Sequence, residues 1–152
     1  MIHIMNRFQT LGLVFFTIFG VFSANAQSKI EPVREGGLHE AVNLSAENNI
    51  IVIYITGSKG KTGEPEPLTA KQYGERLVEG FKDPKYTKYP TDISVRYVET
   101  DDEGPTAGRV FINGQAYKTA KGFSLFTLAQ IGSNIDLFTS KYAELKSTAS
   151  DN

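Results

Sequence analysis

Three short clusters of polar residues are the places where this sequence could do chemistry. The first runs from Gly57 to Gly63 as Gly-Ser-Lys-Gly-Lys-Thr-Gly, directly after a β-branched run. It ends in the Gly-Lys-Thr of a phosphate-binding loop, but the leading glycine of the GxxxxGK pattern is replaced by Ile55. We therefore expect a solvated loop, in which Lys59 and Lys61 are candidates for contact with an anion or a protein partner.

The second cluster is acidic and stands between a predicted strand and Gly104-Pro105. Carboxylate oxygens are the ligands that Ca²⁺ prefers, although the spacing is not that of an EF-hand loop. A solvated acidic turn is the main interpretation, and a pair of carboxylates acting as acid and base is an alternative. The calcium candidates are Asp101, Asp102 and Glu103, preceded by Glu99, and we predict no resident metal or cofactor.

The third cluster alternates lysine with tyrosine between a predicted helix and a predicted strand. Tyrosine offers a large amphipathic surface at a small entropic cost, which suits protein recognition. The alternative is that the tyrosines cover the edge of the sheet while the lysines stay in water. The candidates for partner binding are Lys85, Tyr86, Lys88 and Tyr89, with Lys82 just before them.

Composition removes several classes of chemistry. The chain has 152 residues and no cysteine, so thiol catalysis, cysteine zinc sites and haem attachment are excluded. His39 is the one histidine outside the N-terminal segment, and we assign it no catalytic or metal role. Lys and Arg number 16 against 17 Asp and Glu, and this balance argues against a nucleic-acid partner. These absences predict a protein that is not an enzyme.

The N-terminus has the pattern of a secretory signal peptide. Arg7 precedes an apolar run over residues 11–22, and Ala24-Asn25-Ala26 forms an A-x-A cleavage site. The run is shorter than the ~20 residues that a spanning helix needs. We predict cleavage after Ala26, no stable membrane anchor afterwards, and a periplasmic or secreted protein. The mature chain divides into one globular domain, residues 27–146, and a flexible tail, residues 147–152.

The pattern of apolar residues predicts alternating helices and strands. Ile50–Thr56 is a continuous apolar run, typical of a central strand covered on both faces. Ile93–Glu99 alternates like a half-buried strand, and Asn113-Gly114 predicts a type I′ hairpin between Arg109–Ile112 and Gln115–Lys118.

Three helices complete the prediction. The first covers Leu38–Glu47, and the second follows a Thr69-x-x-Gln72 capping box and ends near Lys82. The third begins after a possible Ser124 cap, with a kink or break at Gly132-Ser133-Asn134. We predict that the aromatic residues of this region belong to the core of the protein: Phe123, Phe126, Phe138 and Tyr142. If apolar residues outside the main stripe stay exposed, they would offer a groove or dimer face, and the candidates are Leu125, Phe126 and Leu137.

These elements predict an α/β fold, with α+β as an alternative. Its small mixed four-stranded sheet is flanked by helices in a βαβ-ββα arrangement. The chain resembles the thioredoxin superfamily, and glutaredoxins in particular, in its buried strand, its crossover helix and the hairpin Val110-Phe111-Ile112-Asn113-Gly114-Gln115. The resemblance implies a thioredoxin-like fold. Redox activity is not carried over, because Gly57-Ser58-Lys59-Gly60 stands where the family has Cys-x-x-Cys.

The sequence therefore favours an exported, non-enzymatic protein that binds another envelope or secreted protein, as an inhibitor or accessory factor. A module that binds a glycan, peptide or calcium ion is the first alternative. A cysteine-independent enzyme, for example one using Ser58 beside Lys59, is the second.

Overall fold

A computed structural model describes residues 28–48, 50–58, 68–86, 88–101 and 106–151. The predicted signal peptide, Lys59, Lys61, Asp102 and Glu103 lie outside these ranges. Among the helices inside them, none is long and apolar enough to cross a bilayer.

The structure is a mixed sheet with helices on both faces, which confirms the predicted α/β class. The strands are β1 (Arg34–Glu35), β2 (Ile51–Ser58), β3 (Ile93–Thr100), β4 (Ala107–Ile112) and β5 (Gln115–Ala116). The helices are α1 (Leu38–Glu47), α2 (Ala70–Phe81), α3 (Leu128–Ser133) and α4 (Ile135–Ser150). The strand order is β1-β3-β2-β4-β5, in which β1, β3 and β2 are parallel while β4 and β5 are antiparallel to their neighbours.

The sheet has five strands where the sequence predicts four. The additional strand, β1, has only two residues, and both are charged, so no alternating pattern marks it in the sequence. Backbone hydrogen bonds hold this segment along β3, because Glu31 N–H donates to Ile93 O and Gly36 N–H donates to Tyr97 O, both at 3.1 Å.

Strand β2 occupies the centre of the sheet and is covered on both faces, as predicted. Ile51, Ile53 and Ile55 face the larger core, formed with α2, α3 and α4. Val52 and Tyr54 face a smaller core beneath α1. The period of two residues along a strand therefore divides the protein into three layers around β2.

Strand β3 differs from its prediction as a half-buried strand. Its first four residues are all buried, including Ser94 and Arg96. Both polar side chains lie on the α1 face, opposite Ile93 and Val95. The alternating pattern shows which residues face the larger core, but it does not show that Ser94 and Arg96 on the other face are buried as well.

The hairpin between β4 and β5 confirms its Asn-Gly prediction. Asn113 and Gly114 have φ angles of 51° and 77°, as a type I′ turn requires. Ser45 Oγ accepts a hydrogen bond from the Gly114 N–H at 2.9 Å and donates to Val42 O at 2.9 Å. This buried hydroxyl fixes the turn against the last part of α1.

The helix ends are set by local hydrogen bonds. The predicted box at the start of α2 is confirmed, because Gln72 N–H donates to Thr69 Oγ1 at 3.2 Å and Thr69 N–H donates to Gln72 Oε1 at 3.0 Å. A second box, formed by Thr127 and Gln130, begins α3 in place of the expected Ser124 cap. The predicted break occurs at Asn134, between α3 and α4.

Helix α4 runs to Ser150, and one of the four aromatic residues predicted for the core of the C-terminal region lies outside it. Phe123 is 64% exposed rather than in the core, because it lies in the loop before α3 and not on the helical stripe. Phe126, Phe138 and Tyr142 are buried as expected.

Gly74 and Gly80 of α2 provide a test of this packing. A Cβ at Gly74 would lie 2.6 Å from Val33 Cγ2, whereas nothing lies within 4 Å of one at Gly80. We expect Gly74→Ala to lower the free energy of unfolding by about 1–3 kcal/mol, because it overpacks this contact. Gly80→Ala should leave stability unchanged or raise it by up to about 1 kcal/mol through helix propensity. Urea unfolding measures both, and equal effects would contradict the packing.

Candidate functional site

The lysine and tyrosine segment follows α2 as a short 3₁₀ turn, Pro84–Tyr86. Lys85 Nζ lies 4.8 Å from the centre of the Tyr86 ring and 3.4 Å from Asp83 Oδ2. Lys82 Nζ lies 2.9 Å from Glu79 Oε2. Lys82 and Lys85 are therefore paired with acids two or three residues away in the chain, and the expected basic patch is largely neutralised there.

The second half of the segment is fixed to the start of α4. The Lys88 N–H donates to Asp136 Oδ1 at 2.9 Å. Tyr86 and Tyr89 remain 41% and 39% exposed, respectively. Both rings therefore keep surface that a partner could contact.

Tyr86 also lines an open groove between α2 and α3, with a volume of about 340 Å³. Leu77 and Phe81 are buried side chains of its wall. No atom of the described residues lies within 4 Å of a Cβ placed at Gly80 or Gly132. The groove is lined by Arg76, Leu77, Gly80, Phe81, Tyr86, Ala129, Gly132 and Ser133. The two helical glycines thus keep open a space that larger side chains would occupy.

The neighbours of Lys85, at the rim of the groove, favour its protonated form. The hydrogen bond with the Tyr86 side chain, together with the nearby Asp83, raises the pKa of Lys85 above its ordinary value. Lys85 therefore stays protonated at neutral pH. Its ammonium group can serve as a hydrogen-bond donor and a cation, but not as a general base.

The acidic cluster is not assembled as a metal site in the part of the chain that the structure describes. Glu99 Oε1 accepts a hydrogen bond from the Lys71 N–H at 3.2 Å, so its carboxylate stabilises the N-terminus of α2. Asp101 is exposed. No group of three histidine, aspartate or glutamate side chains within the described ranges could hold a metal ion. His39 Nε2 lies 3.2 Å from Asn43 Nδ2 on the exposed side of α1.

Sequence reasoning found Tyr86 but missed the groove beside it. Arg76, Gly80, Ala129 and Gly132 belong to helices far apart in the chain, so spacing does not connect them. The one local signal for the groove is a glycine inside a helical pattern. Such a glycine lowers helix propensity, and the sequence shows no packing reason for it.

Comparisons of the chain with family models, curated proteins and solved structures found no match.

The pairing of Lys85 with Tyr86 predicts a measurable titration shift. Tyr86→Phe should lower the Lys85 pKa, because it removes the phenolic hydrogen bond and keeps the ring. Because the pKa of Lys85 is higher in the folded protein than its ordinary value of 10.5, its protonated form stabilises the fold. This contribution to the free energy of unfolding is fully present below pH 10.5 and is lost as the pH rises through the pKa of the folded protein. NMR titration of the Lys85 side chain measures the shift, with Tyr89→Phe as the control. An unchanged Lys85 titration in Tyr86→Phe would contradict the contact.

Proposed function

We propose that this chain is an exported, non-enzymatic interaction protein that binds another envelope or secreted protein at the α2–α3 groove. The observation that carries the proposal is the open groove beside Tyr86, which has two helical glycines and which no side chain of the described residues fills. Export rests on the N-terminal sequence pattern, Arg7 to Ala26.

The shape of the groove favours an apolar side chain from the partner. Leu77 and Phe81 supply apolar wall, and the exposed face of Tyr86 supplies an aromatic contact at the rim. Aromatic residues are common at the centres of protein interfaces, where they fill pockets. Exposed pairs such as Lys85 with Asp83 contribute little net attraction. Shape and apolar contact, rather than charge, therefore account for binding here.

Helix energetics support a functional role for Gly132. Glycine inside a helix destabilises it by about 0.8–1 kcal/mol relative to alanine. A Cβ at this position meets no atom within 4 Å, so packing does not require glycine. An open groove floor is a reason for keeping it.

The non-enzymatic part of the proposal is supported by composition and by the direction in which the Lys85 pKa is shifted. The chain has no cysteine, and His39 is its one histidine beyond the N-terminal segment. Catalytic lysines are activated by a lowered pKa, whereas the Lys85 pKa is raised.

A thioredoxin-like architecture is part of the same proposal. The buried strand β2, the crossover helix α2 and the Asn113-Gly114 hairpin support it. The chain departs from the redox members of that superfamily because it lacks sulfur at Gly57-Ser58-Lys59-Gly60. A binding role without thiol chemistry is consistent with this departure.

Photo-crosslinking in the protein's own host tests the groove directly. A photoreactive phenylalanine analogue replaces Ser133 at the groove, and in a matched control it replaces Ser140, an exposed serine of α4 outside the groove lining. We expect a discrete protein adduct from position 133 alone. Gly132→Leu should reduce the adduct by about tenfold or more, because its side chain fills the space that a partner anchor needs.

Two outcomes would contradict the proposal. One is the same adduct from both positions, and the other is full crosslinking in the Gly132→Leu background with unchanged thermal unfolding. A smaller change, Gly132→Ala, separates binding from folding, because it should reduce the adduct without lowering stability.

The charge reversals Lys85→Glu and Lys88→Glu, compared with Lys118→Glu and Lys121→Glu in the β5–α3 loop, test whether the lysines contribute to the contact.

A further inference from the structure

A second group of charged residues lies on the opposite face of the sheet from the groove. The strand register places Arg34 beside Arg96, Arg96 beside Tyr54, and Tyr54 beside Arg109. Residues in register on neighbouring strands point to the same face, and neighbouring strands lie about 4.8 Å apart. These four residues therefore form one row across four strands, which we name the arginine row.

The central member of the arginine row is buried without full hydrogen bonding. Arg96 is only 8% exposed, and its Nε has no hydrogen-bond partner among the residues that the structure describes. Its Nη1 lies 3.7 Å from Glu40 Oε1, which is an ion pair beyond hydrogen-bond distance. Ser94 Oγ, on the same face of β3, is also buried without a partner. A buried guanidinium with unmet donors is costly unless another acceptor binds there.

The neighbours of Arg96 make the electrostatic potential at the arginine row more positive. Arg34 and Arg109 form no ion pair with any residue that the structure describes. Helix α1 begins beside the row, and its N-cap residue Gly37 provides no side-chain cap. The free N–H groups of a helix N-terminus favour an anion. Among the described residues, the three arginines of this row therefore form one ion pair with a carboxylate, that between Arg96 and Glu40.

We propose that the arginine row and the N-terminus of α1 form a binding site for a compact phosphate-type oxyanion. Arginine is suited to this role, because its planar fork donates two parallel hydrogen bonds to phosphate oxygens. Glu40 is the anion that pairs with Arg96 in this structure, and its side chain is 53% exposed, so it can move aside when the ligand binds. The site is independent of the groove, because α1 and α2 cover opposite faces of the sheet.

The same phosphate chemistry occurs in a free diphosphate and in a phospholipid headgroup. Diphosphate is therefore titrated into the protein at constant ionic strength, with calorimetry and thermal unfolding as readouts. Vesicles of phosphatidylglycerol, compared with phosphatidylcholine vesicles, form the second arm. We expect saturable binding that raises Tm, because a ligand that binds only the folded state stabilises it. Binding in the diphosphate arm alone identifies a soluble ligand, and binding to the charged vesicles identifies a headgroup.

Substitutions in the arginine row test whether the ligand binds there. Arg34→Gln and Arg109→Gln should each weaken binding about tenfold, because each removes a charge-assisted contact. Both residues keep solvent exposure, so these variants leave the fold intact. Lys118→Gln and Lys121→Gln remove the same charge from a loop outside the row and should bind as the unaltered protein does. Glu40→Gln should strengthen binding, because it removes the competing carboxylate.

Three results would overturn the site. The first is the absence of a Tm change with both probes. The second is binding that Arg34→Gln and Arg109→Gln leave unaltered, or that the two lysine variants weaken equally. The third is weaker binding by Glu40→Gln in a protein that still unfolds cooperatively, because that result would make Glu40 a partner of the ligand rather than its competitor.

Discussion

The burial of β2 on both of its faces is the constraint on which the rest of the structure depends. Ile51, Ile53 and Ile55 need α2, α3 and α4 to cover them, and Val52 and Tyr54 need α1. A strand with one exposed face would require only one of these layers. The two candidate sites arise from this arrangement. The groove lies between helices that cover the first face, and the arginine row lies beside the helix that covers the second.

The two sites use different physical principles. The α2–α3 groove is apolar, and its nearby lysines are neutralised by acids such as Glu79 and Asp83 at the surface. The arginine row carries buried charge, because Arg96 is buried and has one long ion pair, to Glu40 of α1. Surface ion pairs are weak in water, whereas a buried charge with unmet hydrogen bonds is energetically costly. A partner protein therefore suits the first surface, and a charged ligand suits the second.

Glycine also has different roles in neighbouring helices. Gly74 permits close packing of α2 on Val33, so its role is structural. Gly80 and Gly132 contact nothing at the position where a Cβ would stand, and both line the groove. Helix propensity alone favours alanine at all three positions. The difference between them therefore depends on their tertiary surroundings, and it separates residues needed for folding from residues available for binding.

The sequence alone determined the elements whose signals are local. The apolar run of β2, the Thr69 capping box and the Asn113-Gly114 turn each depend on residues close together in the chain, so their patterns predicted them. Only the tertiary structure decided that β1 joins the sheet and that Arg96 is buried within ion-pair distance of Glu40. It also brought Gly80 and Gly132 to one groove. Burial and charge pairing depend on side chains that are distant in sequence, and a local pattern carries no record of which of them meet.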